Sequence, residues 1–380
     1  MDERPTALIY RSRLLVSSET FILEQARAMS AYRPFFAGVY RARGLDVPAD
    51  RVWVSEDGRR WKKANKLRFN LLGPSGQELA VLGRQQAKIL HAHFGPDAGE
   101  ALTIASGLGI PLVATFHGYD VTTIDQSFPR TRHGWLYLMR RNALRKRASC
   151  FIAVSSFIRD KLLQQGFPAD RTVIHHIGID TDRFRPDPTI ERQPIVLFVA
   201  RLVEKKGCSL LIRAMQKVQA QLPHVQLVIV GAGPLRQQLE KEAQAALANY
   251  SFAGLQDAAQ VCAWMQRAMV FCVPSVTAPN GDAEGFGMVF AEAQACGLPV
   301  VTFASGGIPD AVAHQETGLL APEGDWEKLA EYLLLLLTDP QRWTEFSLRG
   351  RARVERDFNI HIQTPILEGL YSKLISEWRG

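Results

Sequence analysis

The chain has 380 residues, 47% hydrophobic and 22% charged, with a formal net charge of +7 at pH 7, which is typical of a folded protein of two domains. Its five cysteines form no C-x-x-C pair, which argues against a disulfide framework or a zinc site and favours reduced core cysteines. No apolar run reaches the roughly 18 residues of a membrane span, and residues 1–5 lack the apolar region of a secretory signal, so we expect a cytoplasmic protein.

Short β-branched runs alternate with helical patterns along the whole chain. They predict strands at residues 7–10, 35–40, 88–92, 112–116, 151–154 and 172–175, then at 195–200, 225–230, 270–273 and 299–302. Prolines and charges interrupt both patterns at 183–188, where we place a linker. The alternation predicts two α/β domains with parallel sheets. A last helix, at about 360–378, is long enough to cross back onto the first domain.

The first half of the chain is the basic one. Residues 1–190 hold 28 Lys and Arg against 18 Asp and Glu, a net charge of +10, whereas residues 191–380 hold 17 against 20. Two clusters, 59–68 and 132–147, carry much of this excess, and the second contains Trp135. A basic helix with aromatic residues suits an anionic membrane surface. A solvated basic helix is an equally good interpretation, and nucleic acid is a weaker one because no recognition motif accompanies the charge.

Histidines follow two predicted strands of the first half. Open parallel sheets bind ligands at the carboxyl edges of their strands, so these positions are candidates for a site. A lone histidine is more often structural, but His117 is followed by a glycine at a strand end, which favours contact with a ligand. His91 and His93 also end a strand, and we assign them a packing or acceptor-side role.

Basic residues and glycines follow the first strands of the second half. Arg201 and Lys206 lie in the loop after one strand, where a guanidinium and an ammonium suit a diphosphate. The next strand ends in Gly231 and Gly233, where the backbone can approach a ligand closely. Arg236 replaces the third glycine of a dinucleotide fingerprint, so a nicotinamide enzyme is disfavoured.

Two acids, Glu284 and Glu292, stand eight residues apart around a predicted helix start. Gly285 and Gly287 mark this start, where free backbone N–H groups can hold an anion. We expect Glu284 in the loop or first turn, and Glu292 inside the helix and partly buried, because its neighbours are apolar. A phosphorylated, hydroxyl-rich ligand suits such a place, and nucleotide sugars fit that description.

Six motifs occur in order along the second half: Arg201 with Lys206-Gly207, Gly231-x-Gly233-Pro234, Pro274-Ser275, Glu284-x7-Glu292, Ala295-x-Gly297-x-Pro299-Val300 and Gly306-Gly307-Ile308-Pro309-Asp310. The first half adds Thr115-Phe116-His117-Gly118-Tyr119-Asp120, Val154-Ser155 and Gly178-Ile179-Asp180 with Phe184. Together they resemble the family 4 retaining glycosyltransferases. The Ser-Glu-Thr-Phe stretch at 18–21 is similar to transferases of bacterial exopolysaccharide and colanic acid assembly.

The resemblance implies the GT-B fold, in which two Rossmann-like α/β domains with parallel sheets face a deep inter-domain cleft. An acceptor-binding domain at 1–185 precedes a nucleotide-sugar-binding domain at 190–360, and a C-terminal helix at 361–380 packs back on the first domain. It also implies transfer with retention, by a front-face route in which the leaving phosphate helps to take the acceptor proton.

The resemblance assigns roles to individual residues. His117 and Glu284 hold the transferred sugar, while Arg201 and Lys206 neutralise the leaving diphosphate, so neither a metal ion nor another cofactor is required. The donor contacts are Glu292 on the ribose, then Gly285, Phe286, Gly287, Met288, Gly231, Gly233 and Ser18. Many relatives have a Gly-Gly pair near Ser18, and here Ser18 or Thr20 is an alternative cap for the following helix.

The sequence thus predicts a hexosyltransferase, peripheral to the inner face of the cell membrane. Its substrates are a UDP- or GDP-sugar and a lipid-linked saccharide of exopolysaccharide or lipopolysaccharide biosynthesis, and it has no nucleic-acid partner. A soluble small-molecule or glucan acceptor is one alternative, and a nucleotide-sugar-binding protein without turnover is another. Residues 254–256 and Ala283 are expected to influence the choice of donor.

Overall fold

The structure, a computed structural model, describes residues 3–16, 19–42, 44–55, 62–123 and 132–379. It divides into two compact units, one formed by Met1–Gly178 with Ile360–Gly380 and the other by Ile179–Asn359. Within the described ranges, no helix combines the length and apolar character needed to cross a bilayer.

A parallel sheet of seven strands forms the centre of the first unit. The strands of this unit are β1 (Thr6–Tyr10), β2 (Arg13–Leu14), β3 (Arg33–Gly38), β4 (Tyr40–Arg41), β5 (Val52–Val54), β6 (Ala87–His93), β7 (Leu112–Phe116), β8 (Cys150–Ala153) and β9 (Thr172–Ile174). Its helices are α1 (Thr20–Arg27), α2 (Lys62–Leu72), α3 (Gly76–Gly83), α4 (Gly95–Leu108), α5 (Tyr119–Thr122), α6 (Arg132–Arg147) and α7 (Ser156–Gln164). The strand order is β5-β3-β1-β6-β7-β8-β9, with β2 and β4 paired separately. Strands β1, β7 and β8 are buried throughout, as expected for a parallel sheet covered on both faces.

A parallel sheet of six strands forms the centre of the second unit. Its strands are β10 (Gln193–Val199), β11 (Gln226–Val230), β12 (Tyr250–Gly254), β13 (Ala268–Phe271), β14 (Val300–Phe303) and β15 (Gly318–Ala321). Its helices are α8 (Cys208–Gln221), α9 (Arg236–Ala246), α10 (Ala258–Arg267), α11 (Met288–Ala295), α12 (Ile308–Ala311), α13 (Trp326–Thr338) and α14 (Pro340–Asp357). The strand order is β12-β11-β10-β13-β14-β15, and short 3-10 turns lie at Ala49–Arg51, Ala169–Arg171 and Glu204–Lys206.

The last helix, α15 (Ile360–Glu377), returns to the first unit, as predicted. Its Glu368 carboxylate accepts the backbone N–H groups of Ala31 and Tyr32 at 2.8 and 2.9 Å. Tyr371 is fully buried in the core of the first unit, and its hydroxyl lies 2.5 Å from Nδ1 of His91. The helix is therefore anchored by buried polar contacts as well as by apolar packing.

All ten predicted strands are confirmed, with ends shifted by no more than two residues. The sequence patterns missed β5, β12 and β15, which form sheet edges, together with the short pair β2 and β4. All five residues of β12 are only partly buried, and neither β12 nor β15 contains a β-branched residue, so the signal used to predict strands is absent from both. The five cysteines are buried and free, as predicted.

The chain passes between the units at Gly178 and Ile179, ahead of the predicted linker at 183–188. Ile179 donates its N–H to the Phe358 carbonyl at 2.6 Å. Arg351 on α14 donates to the carbonyls of Thr181 and Phe184 at 3.1 and 2.7 Å. These bonds hold residues 179–185 in the second unit, whereas the predicted division left them in the first.

Candidate functional site

The predicted donor residues of the second unit gather at the carboxyl ends of β10 and β11 and at the start of α11. Arg201 comes two residues after β10, and Lys206 ends the turn Glu204–Lys206. The Arg201 side chain is exposed and forms no ion pair with the described part of the chain. It is thus available to an anion without first breaking an internal contact.

Lys206 and Glu284 are joined directly, by an ion pair between side chains that are only 16% and 14% exposed. Ser275 Oγ donates to the same Glu284 oxygen at 3.5 Å. Burial alone would raise the pKa of Glu284, but the charges of Lys206 and Lys205 and these hydrogen bonds outweigh it and hold the pKa below its usual value. Glu284 is therefore a fixed carboxylate at neutral pH, able to accept hydrogen bonds from hydroxyl groups.

A second ion pair runs beside the first. Lys205 Nζ lies 2.9 Å from the Asp282 carboxylate, and the Lys205 carbonyl accepts the Val276 N–H at 2.8 Å. On its other side, the Glu284 carbonyl accepts the N–H of Gly307 at 2.8 Å. The segment before α11 is thus bound on both sides, which fixes Glu284. The sequence patterns singled out neither Lys205 nor Asp282.

The start of α11 requires glycine at position 287. Gly287 has φ +83°, and a Cβ there would lie 2.4 Å from the Phe290 ring, so any side chain would be both strained and obstructed. Gly285 and Phe286 are buried in the preceding loop, and Met288 begins the helix. Glu292 is partly buried within α11, whereas Glu284 precedes the helix, as predicted.

Gly231 and Gly233 are required by the protein's own backbone. A Cβ at Gly231 would lie 2.0 Å from the Ala200 carbonyl oxygen, and one at Gly233 would lie 2.3 Å from that of Leu202. The two glycines therefore let the loop after β11 pack against the backbone on either side of Arg201. Their contact with a donor stays a prediction.

In the first unit, His117 follows β7 and packs between the rings of Phe21 and Phe94, with centroid distances of 4.9 and 4.6 Å. Its Nε2 lies 3.1 Å from Nδ1 of His93. Its own Nδ1 is buried and has no hydrogen-bond partner among the described residues. Burial, then the charge of Arg11 and the proximity of His91, lower the pKa of His117 well below its usual value, so the ring is neutral at pH 7.

A buried charge cluster lies at the carboxyl ends of β1 and β6. Arg11 forms ion pairs with Glu19, at 2.5 Å, and with Asp97, and its guanidinium lies 4.3 Å from the centre of the Phe94 ring. Burial alone would lower the pKa of Arg11, but Asp97 and Glu19 raise it above its usual value, so the cation is permanent. A charged residue directly after a buried strand, as Arg11 is after β1, is a sequence signal for such a cluster, and the motifs considered above do not include it.

The loop before α1 contains Ser18, a predicted donor contact, and the residues predicted as alternative caps of that helix. The helix cap is Glu19, whose side chain makes no capping hydrogen bond, and Thr20 already lies inside the helix, so capping by Thr20 is wrong. Ser18 lies outside the described residues, and its donor contact stays a prediction. The donor candidates that the structure describes thus lie in the second unit, and His117 lies in the first.

Known proteins resemble this chain along its length. Residues 180–353 match the family profile "Glycosyl transferases group 1", and residues 18–183 match "Glycosyltransferase Family 4". The chain is 33% identical over 254 residues to the amylovoran biosynthesis glycosyltransferase AmsK of Erwinia amylovora, spanning 66% of this chain and 61% of AmsK. It is 30% identical over 301 residues to the putative colanic acid biosynthesis glycosyltransferase WcaL of Escherichia coli K12, spanning 76% and 71%.

Two further proteins also resemble this chain. A GDP-mannose-dependent monoacylated alpha-(1-6)-phosphatidylinositol monomannoside mannosyltransferase of Corynebacterium glutamicum is 32% identical over 299 residues, spanning 73% of this chain and 75% of that one. The crystal structure of Anabaena Alr3699/HepE in complex with UDP and glucose superposes with a TM-score of 0.76 at 18% identity, covering 97% and 100%. The fold is that of the GT-B glycosyltransferases. Within that class, the chain belongs to glycosyltransferase family 4.

Proposed function

We propose that this protein transfers a hexose, with retention, from a nucleotide-diphosphate sugar to a lipid-linked saccharide, without a metal ion. The observation that carries the proposal is the Lys206–Glu284 ion pair next to the start of α11. An ammonium, a carboxylate and the N-terminal end of a helix lie side by side there. A nucleotide sugar offers the matching groups, a diphosphate and several hydroxyls.

In the proposed reaction, Arg201 and Lys206 bind the diphosphate and stabilise the charge that grows on it as the sugar departs. Glu284 orients the Lys206 ammonium towards the phosphate, and its carboxylate accepts hydrogen bonds from sugar hydroxyl groups. The acceptor oxygen bonds to the anomeric carbon on the face that the phosphate leaves, and the leaving phosphate oxygen takes the acceptor proton. Neutral His117 binds a hydroxyl of the sugar, and Glu292 binds the ribose.

The relatives support the substrate classes. AmsK and WcaL are named for amylovoran and colanic acid biosynthesis, and the Corynebacterium enzyme uses GDP-mannose and acts on a phosphatidylinositol mannoside. HepE was crystallised with UDP and glucose. We therefore infer a UDP- or GDP-sugar donor. Leu255 directly follows β12, with its side chain 82% exposed, and Ala283 is buried next to Glu284, and both are expected to influence that choice.

Donor binding is the first test of this function. A matching nucleotide sugar at about 100 times its dissociation constant is expected to stabilise the protein by about 2.7 kcal/mol, which a thermal-shift screen of UDP- and GDP-sugars detects.

Transfer to a lipid-linked acceptor is expected to proceed unchanged in EDTA, because Arg201 and Lys206 supply the positive charge. A strict need for a divalent metal contradicts that role, and binding without transfer to any acceptor favours the non-catalytic alternative.

Helices α2 and α6, together called the α2–α6 face, combine exposed apolar side chains with a basic composition. Five large apolar side chains on α2 and α6 are 37–79% exposed: Leu67, Leu71, Leu72, Trp135 and Met139. The two helices contain ten Lys and Arg and no Asp or Glu. Arg140 links them by donating to the Asn70 carbonyl at 2.5 Å. We infer that this face lies on an anionic membrane surface, which attracts the charges while the apolar side chains enter the headgroup region.

A flotation assay with liposomes tests this surface. The double variant Trp135→Glu with Met139→Glu is expected to lose at least tenfold in binding to anionic liposomes, because two carboxylates replace apolar contacts and repel the lipid charge. The control is Leu348→Glu, on an equally exposed residue of α14 in the second unit, which should float like the wild type. If liposome binding by the wild type depends on neither lipid charge nor salt, α6 is a solvated basic helix and does not bind the membrane. The cluster at 59–68 lies partly outside the described residues.

A further inference from the structure

We propose that His93 is a positioning residue that sets which ring nitrogen of His117 carries its proton, and so what His117 presents to the transferred sugar. The proposal rests on the proposed function, in which His117 contacts that sugar. The sequence predicts a packing or acceptor-side role for His93. Its bond to His117 gives it a different one.

The two imidazole rings share one hydrogen bond. Nδ1 of His93 and Nε2 of His117 are 3.1 Å apart, and the ring planes are only 25° apart. Burial, followed by nearby ring and guanidinium charges, lowers the pKa of both histidines well below the usual value, so both rings are neutral. A neutral imidazole carries one proton, and a bond between two ring nitrogens needs one N–H and one lone pair.

This shared bond makes the protonation of His117 Nδ1 depend on His93. If His93 Nδ1 holds the bonding proton, the proton of His117 must reside on its own Nδ1, which is then a donor. If His117 Nε2 holds it, its Nδ1 is a bare acceptor. Which partner supplies it therefore decides what His117 offers to a ligand.

The second ring nitrogen of His117, Nδ1, has no partner among the described residues. Its Nδ1 is buried and makes no hydrogen bond within the described part of the protein. Buried polar atoms nearly always have a partner, so an exception at the carboxyl edge of a sheet points to a group that arrives with a ligand. A sugar hydroxyl group can accept or donate a hydrogen bond, so it can pair with Nδ1 in either tautomer of His117.

The backbone around His93 is held in an unfavourable conformation. Phe94 has φ +72°, a region that bulky side chains rarely occupy. It is kept there by its N–H bond to the Thr115 carbonyl at 2.7 Å, by Arg11 over its ring, and by the bond from Arg11 to the His93 carbonyl at 3.1 Å. Such strain persists only where surrounding contacts impose it, and here it accompanies the placing of both rings against His117.

His91 secures the other side of His93 and has a structural role itself. The two rings stack with centroids 4.4 Å apart, which limits rotation of His93. Both nitrogens of His91 already have partners, the Tyr371 hydroxyl at 2.5 Å and the Thr115 hydroxyl at 2.6 Å. His91 therefore has no nitrogen left for His117 or for a ligand.

Two substitutions separate positioning from packing. His93→Leu removes the ring bond, and we expect kcat to fall at least tenfold while KM for the donor changes less than threefold. His93→Asn keeps an amide where Nδ1 stood, and we expect it to restore at least a third of the wild-type kcat. The matched control is His175→Leu, which removes another buried histidine, one bonded to the Gln363 carbonyl at 2.9 Å. It should lower Tm as His93→Leu does, with kcat within twofold of wild type.

Nitrogen-15 NMR of histidine-labelled protein gives a readout besides activity. We expect one predominant His117 tautomer in the wild type and a shift towards the other in His93→Leu, where the bond between the rings is lost. The same His117 tautomer in both proteins would overturn the proposal, as would equal kcat losses in His93→Leu, His93→Asn and His175→Leu. If the wild type neither binds nor transfers a nucleotide sugar, the proposed function fails, and the tautomer measurement still decides the role of His93.

Discussion

Replacing Glu284 by alanine is expected to reduce kcat by about a thousandfold or more, the scale seen when a preorganised polar group is removed from an active site. Glu284 is the carboxylate that Lys206 and Ser275 hold in place for the donor sugar. Its loss also leaves the Lys206 ammonium without its partner, so the diphosphate contact is less well oriented. Initial rates with the donor found by thermal shift measure the change.

Controls for this result are available in the adjacent ion pair. Asp282→Asn breaks the Lys205–Asp282 pair, which is similarly buried, and is expected to change kcat only a few-fold.

Lys206→Ala should abolish transfer as Glu284→Ala does, and the double variant should be no worse than either, because residues that act as one unit are not additive. More than a tenth of wild-type activity in Glu284→Ala, with a normal circular dichroism spectrum, would remove Glu284 from the reaction.

Replacing Arg11 by methionine is expected to lower the free energy of unfolding of the first unit by about 3–5 kcal/mol. Methionine fills much of the same volume, but it leaves Glu19 and Asp97 buried without their cation. Most of the loss in unfolding free energy comes from the two buried carboxylates that no longer face a cation, and less from the lost attraction itself. Urea unfolding at pH 7, followed by fluorescence, measures the change in the transition of the first unit.

Arg13 provides the comparison for Arg11. It lies on the short strand β2 with its side chain exposed, so Arg13→Met should change the unfolding free energy by less than about 0.5 kcal/mol. If Arg11→Met were as stable as Arg13→Met, the cluster would be a solvated one, and Phe94 would need another explanation for its backbone conformation. Loss of activity with unchanged stability would point instead to direct contact between Arg11 and a substrate.

Much of the architecture followed from local patterns in the sequence. The run that forms β7 is β-branched and apolar, and Gly287 lies where the chain must take a positive φ before α11, so the strand and the helix start were both predictable. Each signal depends on a few adjacent residues and on the backbone they allow. The edge strand β12 was not predictable, because all five of its residues are only partly buried and the apolar pattern is diluted.

Which functional groups are present also follows from the sequence alone, since acids, bases and glycines stand in the order of family 4 around strand ends and helix starts. Which of these groups become partners depends on how the chain folds. Lys206 and Glu284 are separated by 78 positions, Arg11 and Asp97 by 86, and Arg351 and Thr181 by 170. The first two pairs form because the sheets bring distant strand ends to one edge, and the third because α14 lies against residues 181–184. In each place a buried charge or polar group is stable only beside a complementary one. No periodicity within the chain encodes that choice of partner.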